Sequence, residues 1–154
     1  MQREAIGKLG IPVVWKKKGL LGIMLGVYSG LLYYLSSLTG QQLSAFKPYF
    51  QNQDKVEHMI AYGVMAFVAW VALRQWNHFR HSWLWAWLYA VGYGISDEWH
   101  QFFVPGRYAD VWDLMADATG AALAILILEF YRSRRQSQSR PLAALPQSMR
   151  YSVP

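Results

Sequence analysis

Residues 82–131 decide the fold of this chain: SWLWAWLYAVGYGISDEWHQFFVPGRYADVWDLMADATGAALAILILEFY. Two apolar segments, Ser82–Trp99 and Leu114–Tyr131, are connected by a stretch rich in polar residues. This stretch, Asp97–Gly120, contains five carboxylates, one arginine and one histidine. Charges beside lipid are energetically costly, so residues of this kind usually form a site. The sequence therefore predicts two apolar helices whose connection carries the functional groups.

Two more apolar segments precede this pair, Leu20–Leu38 and Val56–Leu73. Each of the four has close to the ~20 residues that a helix needs to cross a bilayer core of ~30 Å. None of them has the polar face that a helix in a soluble bundle shows to water. We therefore predict an all-α integral membrane bundle of four transmembrane helices with an outward-facing polar cluster. A soluble bundle with buried helices is the disfavoured alternative.

Composition fits one apolar domain with polar ends. The chain has 154 residues, of which 54% are hydrophobic and 16% aromatic, more than an ordinary soluble domain contains. It has no cysteine, which excludes disulfides, thiolate nucleophiles and cysteine metal sites. We predict a basic cytoplasmic arm at residues 1–19, a transmembrane domain at 20–131 and a mobile basic cytoplasmic tail at 132–154.

The distribution of positive charge predicts how the chain is oriented. Of the 15 Lys and Arg residues, only Lys47, Lys55 and Arg107 lie outside the N-terminal arm, the loop after the second segment and the C-terminal tail. Because basic loops remain in the cytoplasm, both termini are predicted to be cytoplasmic. Basic residues that flank membrane segments do not form one patch, so the net charge of +6 does not indicate a nucleic-acid partner.

Acidic residues show the opposite distribution, with seven of the nine in or beside the two outer loops. They outnumber the three outer basic residues, so we predict an outer pocket that holds a cation, shared protons or a charged ligand. The predicted ligand-binding residues are Asp54, Lys55, His58, Tyr62, Asp97, Glu98, Gln101, Arg107, Asp110, Asp113 and Asp117.

His58 is the candidate functional histidine. It lies four residues from both Asp54 and Tyr62, so the three share one helical face. A carboxylate beside a histidine fixes its tautomer, as in acid–base and metal sites. We expect Asp54 to have this role, and a purely structural histidine is the alternative. His58 and Glu98 are the candidate catalytic bases, and the catalytic residues are otherwise unknown.

The fourth segment brings carboxylates to the same region. Asp110, Asp113 and Asp117 are spaced by three and four residues and share a helical face. Arg107 precedes them, and its planar fork suits two-point contact with a carboxylate or a phosphate. The structural alternative is that Arg107 and Lys55 only neutralise the acids and stabilise the bundle.

The sequence contains no compact ligand motif such as His-Glu-x-x-His, so it predicts no metal and no cofactor. The less favoured alternative is a metal site with ligands from His58, Asp54, Asp97 or Glu98, and Asp113 or Asp117.

Small residues recur every four positions in two segments, at Gly22, Gly26 and Gly30 and at Ala116, Gly120 and Ala124. Such spacing lets another helix approach closely. We expect this packing inside the bundle, and a protein partner in a membrane complex bound through Gly22, Gly26 and Gly30 is the alternative.

Two motifs resemble those of the VanZ-like membrane proteins: Asp54-Lys55-x-x-His58-x-x-x-Tyr62 and the run Asp97-Glu98-x-x-Gln101 to Gly120 with Pro105-Gly106-Arg107, Asp110, Asp113 and Asp117. The similarity covers roughly Leu20–Tyr131. It implies a small multi-pass protein of the bacterial cytoplasmic membrane. The name-giving member is linked to resistance to the glycopeptide antibiotic teicoplanin. One departure is Asp117, where the family often has Asn, and it makes the outer site more acidic.

Three functions are compatible with the sequence. The favoured one is a cell-envelope protein whose pocket binds a polar head group, with membrane lipids and a lipid-linked envelope precursor as its ligands. The second is an accessory subunit of a larger membrane complex. The third is a membrane-embedded hydrolase or transferase, with His58 or Glu98 as base and Arg107 stabilising anionic charge. No serine or cysteine nucleophile motif supports an enzyme.

Overall fold

The computed structural model describes residues 19–46, 48–75 and 81–138. Within these ranges the chain is all α-helical and contains no strand, as predicted. The helices are α1 (Leu20–Ser36), α2 (Gly40–Leu43), α3 (Gln53–Arg74), α4 (Ser82–Gln101) and α5 (Val111–Gln138). The predicted N-terminal arm and most of the predicted tail lie outside the described residues, while α5 continues past Tyr131 to Gln138.

Each of the four predicted apolar segments corresponds to one long helix, but two of the helices meet the criteria for a membrane span. Helix α3 and residues 111–137 of α5 are long and apolar enough to cross a bilayer, and a third of each is buried within the chain. Helix α1 has 17 residues, shorter than the ~20 that a bilayer core requires. Helix α4 has enough residues, but its Trp, Tyr and acidic side chains lower its mean hydropathy.

The first apolar segment ends earlier than predicted because a second helix begins directly after it. Helix α1 stops at Ser36, and Thr39 caps the short helix α2. The Thr39 hydroxyl accepts a hydrogen bond from the backbone N–H of Gln42, whose side chain accepts one from the backbone N–H of Thr39. This reciprocal capping box fixes the chain at the end of α1.

Helix α3 lies at the centre and packs against α1, α4 and α5. Its closest neighbour is α5, because glycines replace side chains where the two helices cross. A Cβ atom at Gly120 would overlap the backbone carbonyl of Met59, and one at Gly63 would lie 3.2 Å from the carbonyl oxygen of Gly120. The prediction that small residues in the fourth segment pack inside the bundle is therefore confirmed at Gly120.

The glycines of α1 behave differently. Apart from the neighbouring backbone of α1 itself, no atom of the described residues lies within 4 Å of a Cβ built at Gly22, Gly26 or Gly30. The expectation that these glycines pack inside the bundle is therefore wrong. Helix α1 approaches α3 with another face, where Leu32 joins the core and the Tyr28 hydroxyl donates a hydrogen bond to the carbonyl oxygen of Ala61 at 2.9 Å.

The two loops at one end of the bundle are joined to each other. Val104 to Arg107 form a turn closed by the Arg107 N–H and the Val104 carbonyl oxygen at 3.1 Å, with Gly106 at a φ of 76°. Such a φ after a proline is typical of a type II turn. The backbone N–H of Gly40 donates to the Pro105 carbonyl oxygen at 3.1 Å. This contact holds the loop that carries Arg107 over the end of α1.

Candidate ligand-binding site

A cavity of about 370 Å³ opens where the ends of α1, α3 and α4 meet the two joined loops. Its lining has two chemical characters. The polar part comes mostly from residues that the sequence predicted: Asp54, His58, Tyr62, Asp97, Gln101 and Arg107. The apolar part comes chiefly from α1 and the loop after it: Leu32, Leu35, Leu38, Leu43 and Phe46.

Lys55 holds three of the predicted acids at the rim of this cavity. Its ammonium nitrogen lies 2.6 Å from carboxylate oxygens of both Asp110 and Asp113, and 3.0 Å from Asp54. The Lys55 side chain is a quarter exposed and that of Asp113 is nearly buried. The hydrogen bond from Lys55, followed by that from the backbone N–H of Trp112, lowers the pKa of Asp110 below the usual carboxyl value. We call this group the Lys55 cluster.

Asp113 also lies in the first turn of α5. A carboxylate there is favoured by the positive end of the helix dipole, which adds to its attraction for Lys55. Lys55 therefore neutralises acids, as the structural alternative proposed, but only the three acids of its own cluster.

His58 is paired with a different helix. Its Nδ1 lies 2.9 Å from Oδ1 of Asp117, whose side chain is fully buried. A carboxylate oxygen accepts hydrogen bonds, so Nδ1 carries a proton, and Nε2 is the ring nitrogen that faces away from this pair. The expectation that Asp54 orients His58 is wrong, because Asp54 contacts Lys55 instead. The partner is Asp117, which the close crossing at Gly120 brings beside α3.

Asp97 and Glu98 complete what we call the His58 cluster, together with His58 and Asp117. One ligand atom of His58 and one carboxylate oxygen each of Asp97 and Glu98 lie within 4.8 Å of one another. Both carboxylates are 7% exposed. The second oxygen of Glu98 accepts a hydrogen bond from the backbone N–H of Asp110 at 2.7 Å.

Four buried oxygen atoms at this cluster make no hydrogen bond to any described residue: Oδ1 of Asp97, Oε1 of Glu98, Oδ2 of Asp117 and the hydroxyl of Tyr62. Tyr62 is 1% exposed, and its ring stacks parallel to that of His58 with centroids 6.1 Å apart. Buried polar atoms are nearly always paired, so a group of four unpaired ones indicates a site for a ligand or for protons.

Glycine makes room for one of these oxygens. A Cβ atom at Gly94 would lie 2.7 Å from Oδ2 of Asp117. Helix α4 can therefore approach the Asp117 carboxylate closely only because position 94 has no side chain. The residue that the family resemblance marked as a departure thus lies at the centre of the packed site.

Arg107 is connected to the His58 cluster through an amide. Its Nε and Nη2 atoms donate to Oε1 of Gln101 at 3.2 and 2.7 Å, and Nε2 of Gln101 donates to Oδ2 of Asp97 at 3.3 Å. Among the described residues no carboxylate lies within ion-pairing distance of Arg107. The structural alternative, in which Arg107 neutralises the acids, is therefore wrong for this residue.

All eleven predicted site residues lie in one region, either in the lining of the cavity or in the two clusters beside it. The sequence reasoning missed Ser36 and Glu57, which also line the cavity. Glu57 could have been found, because it precedes His58 at the start of the same helix. Ser36 and the leucines of α1 could not have been predicted, because the apolar sequence at the end of a helix does not indicate a ligand-binding site.

The arrangement supports two kinds of chemistry. His58 is oriented by a buried carboxylate, and in its neutral form it can accept a proton or bind a cation through Nε2. Arg107 donates to Gln101 through Nε and Nη2, and its Nη1 amino group makes no hydrogen bond to a described residue, so it can bind an anion. A polar wall facing an apolar wall suits an amphiphilic molecule.

These features define a small α-helical protein with membrane-compatible helices and a charged, partly apolar cavity at one end. The sequence model of the VanZ/LLP1 family matches residues 27–132. The chain therefore belongs to the VanZ/LLP1 family, and the resemblance seen in the two motifs is confirmed. Family membership and the two apolar helices together indicate a membrane protein. No curated protein and no solved structure matches the chain significantly.

Proposed function

We propose that the chain is a four-span protein of the bacterial cytoplasmic membrane whose cavity binds the polar head group of a lipid-linked molecule of the cell envelope. The observation that carries this proposal is the divided lining of the cavity. Charged side chains from α3 and α4 face leucines from α1 across about 370 Å³, a volume within the usual range for small-molecule sites. A molecule with a polar head and an acyl chain matches both walls.

Arg107 is the group that would contact an anionic head. Gln101 fixes the guanidinium by two hydrogen bonds, so its orientation is set before a ligand arrives. An arginine held in this way binds phosphate or carboxylate with little loss of side-chain entropy. The acids beside it would accept hydrogen bonds from hydroxyl or amine groups of the same head.

The proposal includes a position in the membrane. Large apolar side chains are exposed on the outside of all four long helices, for example Ile23, Val64, Leu88 and Leu126. A continuous apolar exterior of this kind is favourable in lipid and unfavourable in water. The distribution of Lys and Arg in the sequence supports an outer position for the cavity. A head group presented there is the type of target that would connect the protein to glycopeptide resistance.

Lipid mass spectrometry of protein extracted into native nanodiscs tests the proposal. We expect Arg107→Ala to reduce the co-purifying lipids with anionic heads by about tenfold, since a hydrogen bond to a charged group contributes ~1.5 kcal/mol or more. Arg132→Ala is the matched control, because Arg132 pairs with Glu129 far along α5. An identical lipid profile in wild type, Arg107→Ala and Arg132→Ala protein would contradict the role of Arg107.

One observation favours a second candidate function, that of an accessory subunit in a larger membrane complex. No described residue outside α1 packs on the glycine face formed by Gly22, Gly26 and Gly30, and such faces accept a partner helix. Purification in a gentle detergent, followed by light scattering, gives the mass of the complex. A partner that is lost in Gly26→Leu protein would support this function, whereas a monomer in both preparations would exclude a stable complex through α1.

A further inference from the structure

We propose that His58, Asp97 and Glu98 form a binding site for a divalent transition-metal cation, with Asp117 positioning the histidine. The sequence offered a metal site only as the less favoured alternative and with a wider choice of ligands, because these residues come from two helices and form no compact motif. The inference does not depend on the head-group ligand, since the three side chains form a complete ligand set without Arg107.

The first support is distance. The three ligand atoms lie within 4.8 Å of one another, while donors in a tetrahedral site with bonds of ~2.0–2.2 Å are ~3.4 Å apart. Each side chain therefore needs to move by less than about 1 Å to reach a shared cation. The neighbouring residues of α3 and α4 bring these atoms together without a ligand.

The second support is the set of unpaired oxygens. Oδ1 of Asp97 and Oε1 of Glu98 are buried and make no hydrogen bond to a described residue. Both residues are only 7% exposed to solvent. Their other oxygens are fixed by Gln101 and by the backbone of Asp110. Each carboxylate thus keeps one buried oxygen without a hydrogen bond to a described residue, and that oxygen is available to a cation.

The third support is charge. The His58 cluster contains three carboxylates, and no Lys or Arg among the described residues forms an ion pair with any of them. Lys55 is already shared by the three acids of its own cluster. Buried carboxylates without a cation are costly, so a bound metal or protons must neutralise them.

The fourth support is the position of Asp117. A histidine that binds a metal usually donates its other ring N–H to a carboxylate, which fixes the ring and the tautomer. His58 does this through Nδ1 and Asp117 at 2.9 Å. The nitrogen left for a cation is Nε2.

The ligand set selects a class of cation. One imidazole nitrogen and two carboxylate oxygens suit zinc or manganese, whereas calcium and magnesium prefer oxygen ligands alone. Three protein ligands leave at least one position for water or for an oxygen of a bound molecule. We therefore expect zinc and manganese to bind in the presence of excess magnesium.

The test is metal binding by the purified full-length protein in detergent. Protein treated with a chelator is dialysed against zinc chloride or manganese chloride with excess magnesium, and bound metal is measured by mass spectrometry and by titration calorimetry. We expect about one zinc or manganese per chain in wild type. His58→Ala and Glu98→Gln should weaken binding by about 100-fold, and Asp117→Asn by about 10–100-fold.

Glu57→Gln is the matched control, because Glu57 lines the same cavity but is exposed and outside the ligand set. Zinc should also raise the unfolding temperature of wild type and Glu57→Gln protein but not of Glu98→Gln protein, which separates lost binding from misfolding. If wild type takes up no more metal than His58→Ala, or if Glu98→Gln and Glu57→Gln bind equally, protons neutralise the cluster and the metal site does not exist. Either result leaves the lipid profile of Arg107→Ala as a separate test of the head-group proposal.

Discussion

Single residues divide the acids of the site into two groups with different electrostatics. Lys55 compensates Asp54, Asp110 and Asp113 with three short contacts. Among the described acids His58 pairs only with Asp117, which leaves the charge of Asp97 and Glu98 uncompensated by any described ion pair. The acids of the Lys55 cluster are thus compensated, whereas the His58 cluster requires a further positive charge.

Replacing Lys55 by methionine tests how much the Lys55 cluster contributes to stability. The substitution keeps most of the side-chain volume but leaves three carboxylates without their cation, and removal of one member of a buried ion pair costs ~3–5 kcal/mol. Because Lys55 is a quarter exposed, we expect a smaller loss of about 1–3 kcal/mol. Thermal unfolding in detergent, followed by tryptophan fluorescence, measures it.

Arg132→Met is the control for that experiment. The Arg132 side chain is more exposed than that of Lys55 and pairs with one carboxylate instead of three, so its loss should cost less than ~1 kcal/mol. If the two variants unfold at the same temperature, the ion pairs of Lys55 do not stabilise the protein.

Helix positions were predictable from the sequence, but the choice of partners between helices was not. The apolar runs placed all four long helices, and the spacing of Asp54, His58 and Tyr62 put them on one face of α3. That spacing also suggested Asp54 as the partner of His58, whereas the structure pairs His58 with Asp117. The spacing of residues shows which side chains share a face of one helix. It does not show where α3 crosses α5, and that crossing decides the partner of His58.

The packing of the glycines could not be predicted from their spacing for the same reason. Gly26 and Gly120 both lie in a four-residue repeat of small residues, yet only Gly120 contacts another helix. The repeat shows where a close approach is allowed, and the packing of the other helices decides where it happens. The helix ends were also imperfectly predicted, since the capping box at Thr39 shortens α1.

Gly120→Ala tests the helix crossing that builds the site. A methyl group there would overlap the backbone of Met59, so α5 must move away from α3. We expect a loss of stability of at least about 1–3 kcal/mol, the usual cost of overpacking. The same shift would separate Asp117 from His58, so zinc binding should weaken as well.

Gly26→Ala is the matched control in α1, where no described atom beyond the backbone of α1 itself lies within 4 Å of the added atom. Alanine is favoured over glycine inside a helix by ~0.8–1.0 kcal/mol, so this variant should be as stable as wild type or more so. Equal destabilisation by the two substitutions would show that Gly120 has no special role.

The whole molecule is a polar site at one end of an apolar bundle. Two helices meet the criteria for a membrane span, and the VanZ/LLP1 family match extends over residues 27–132. The proposed function depends on which side of the membrane the cavity faces, because a lipid-linked envelope precursor is reached from the outer side. The basic residues of the sequence predict that side without contact information.

Cysteine labelling tests this orientation most directly, because the chain has no cysteine of its own. Ser44 lies in the loop beside the cavity and Ser133 near the far end of α5, and both are exposed. In intact cells a membrane-impermeant maleimide should label Ser44→Cys protein, whereas Ser133→Cys protein should react only after the membrane is permeabilised. Labelling of Ser133→Cys in intact cells, with Ser44→Cys protected until permeabilisation, would place the cavity inside the cell and contradict the proposed function.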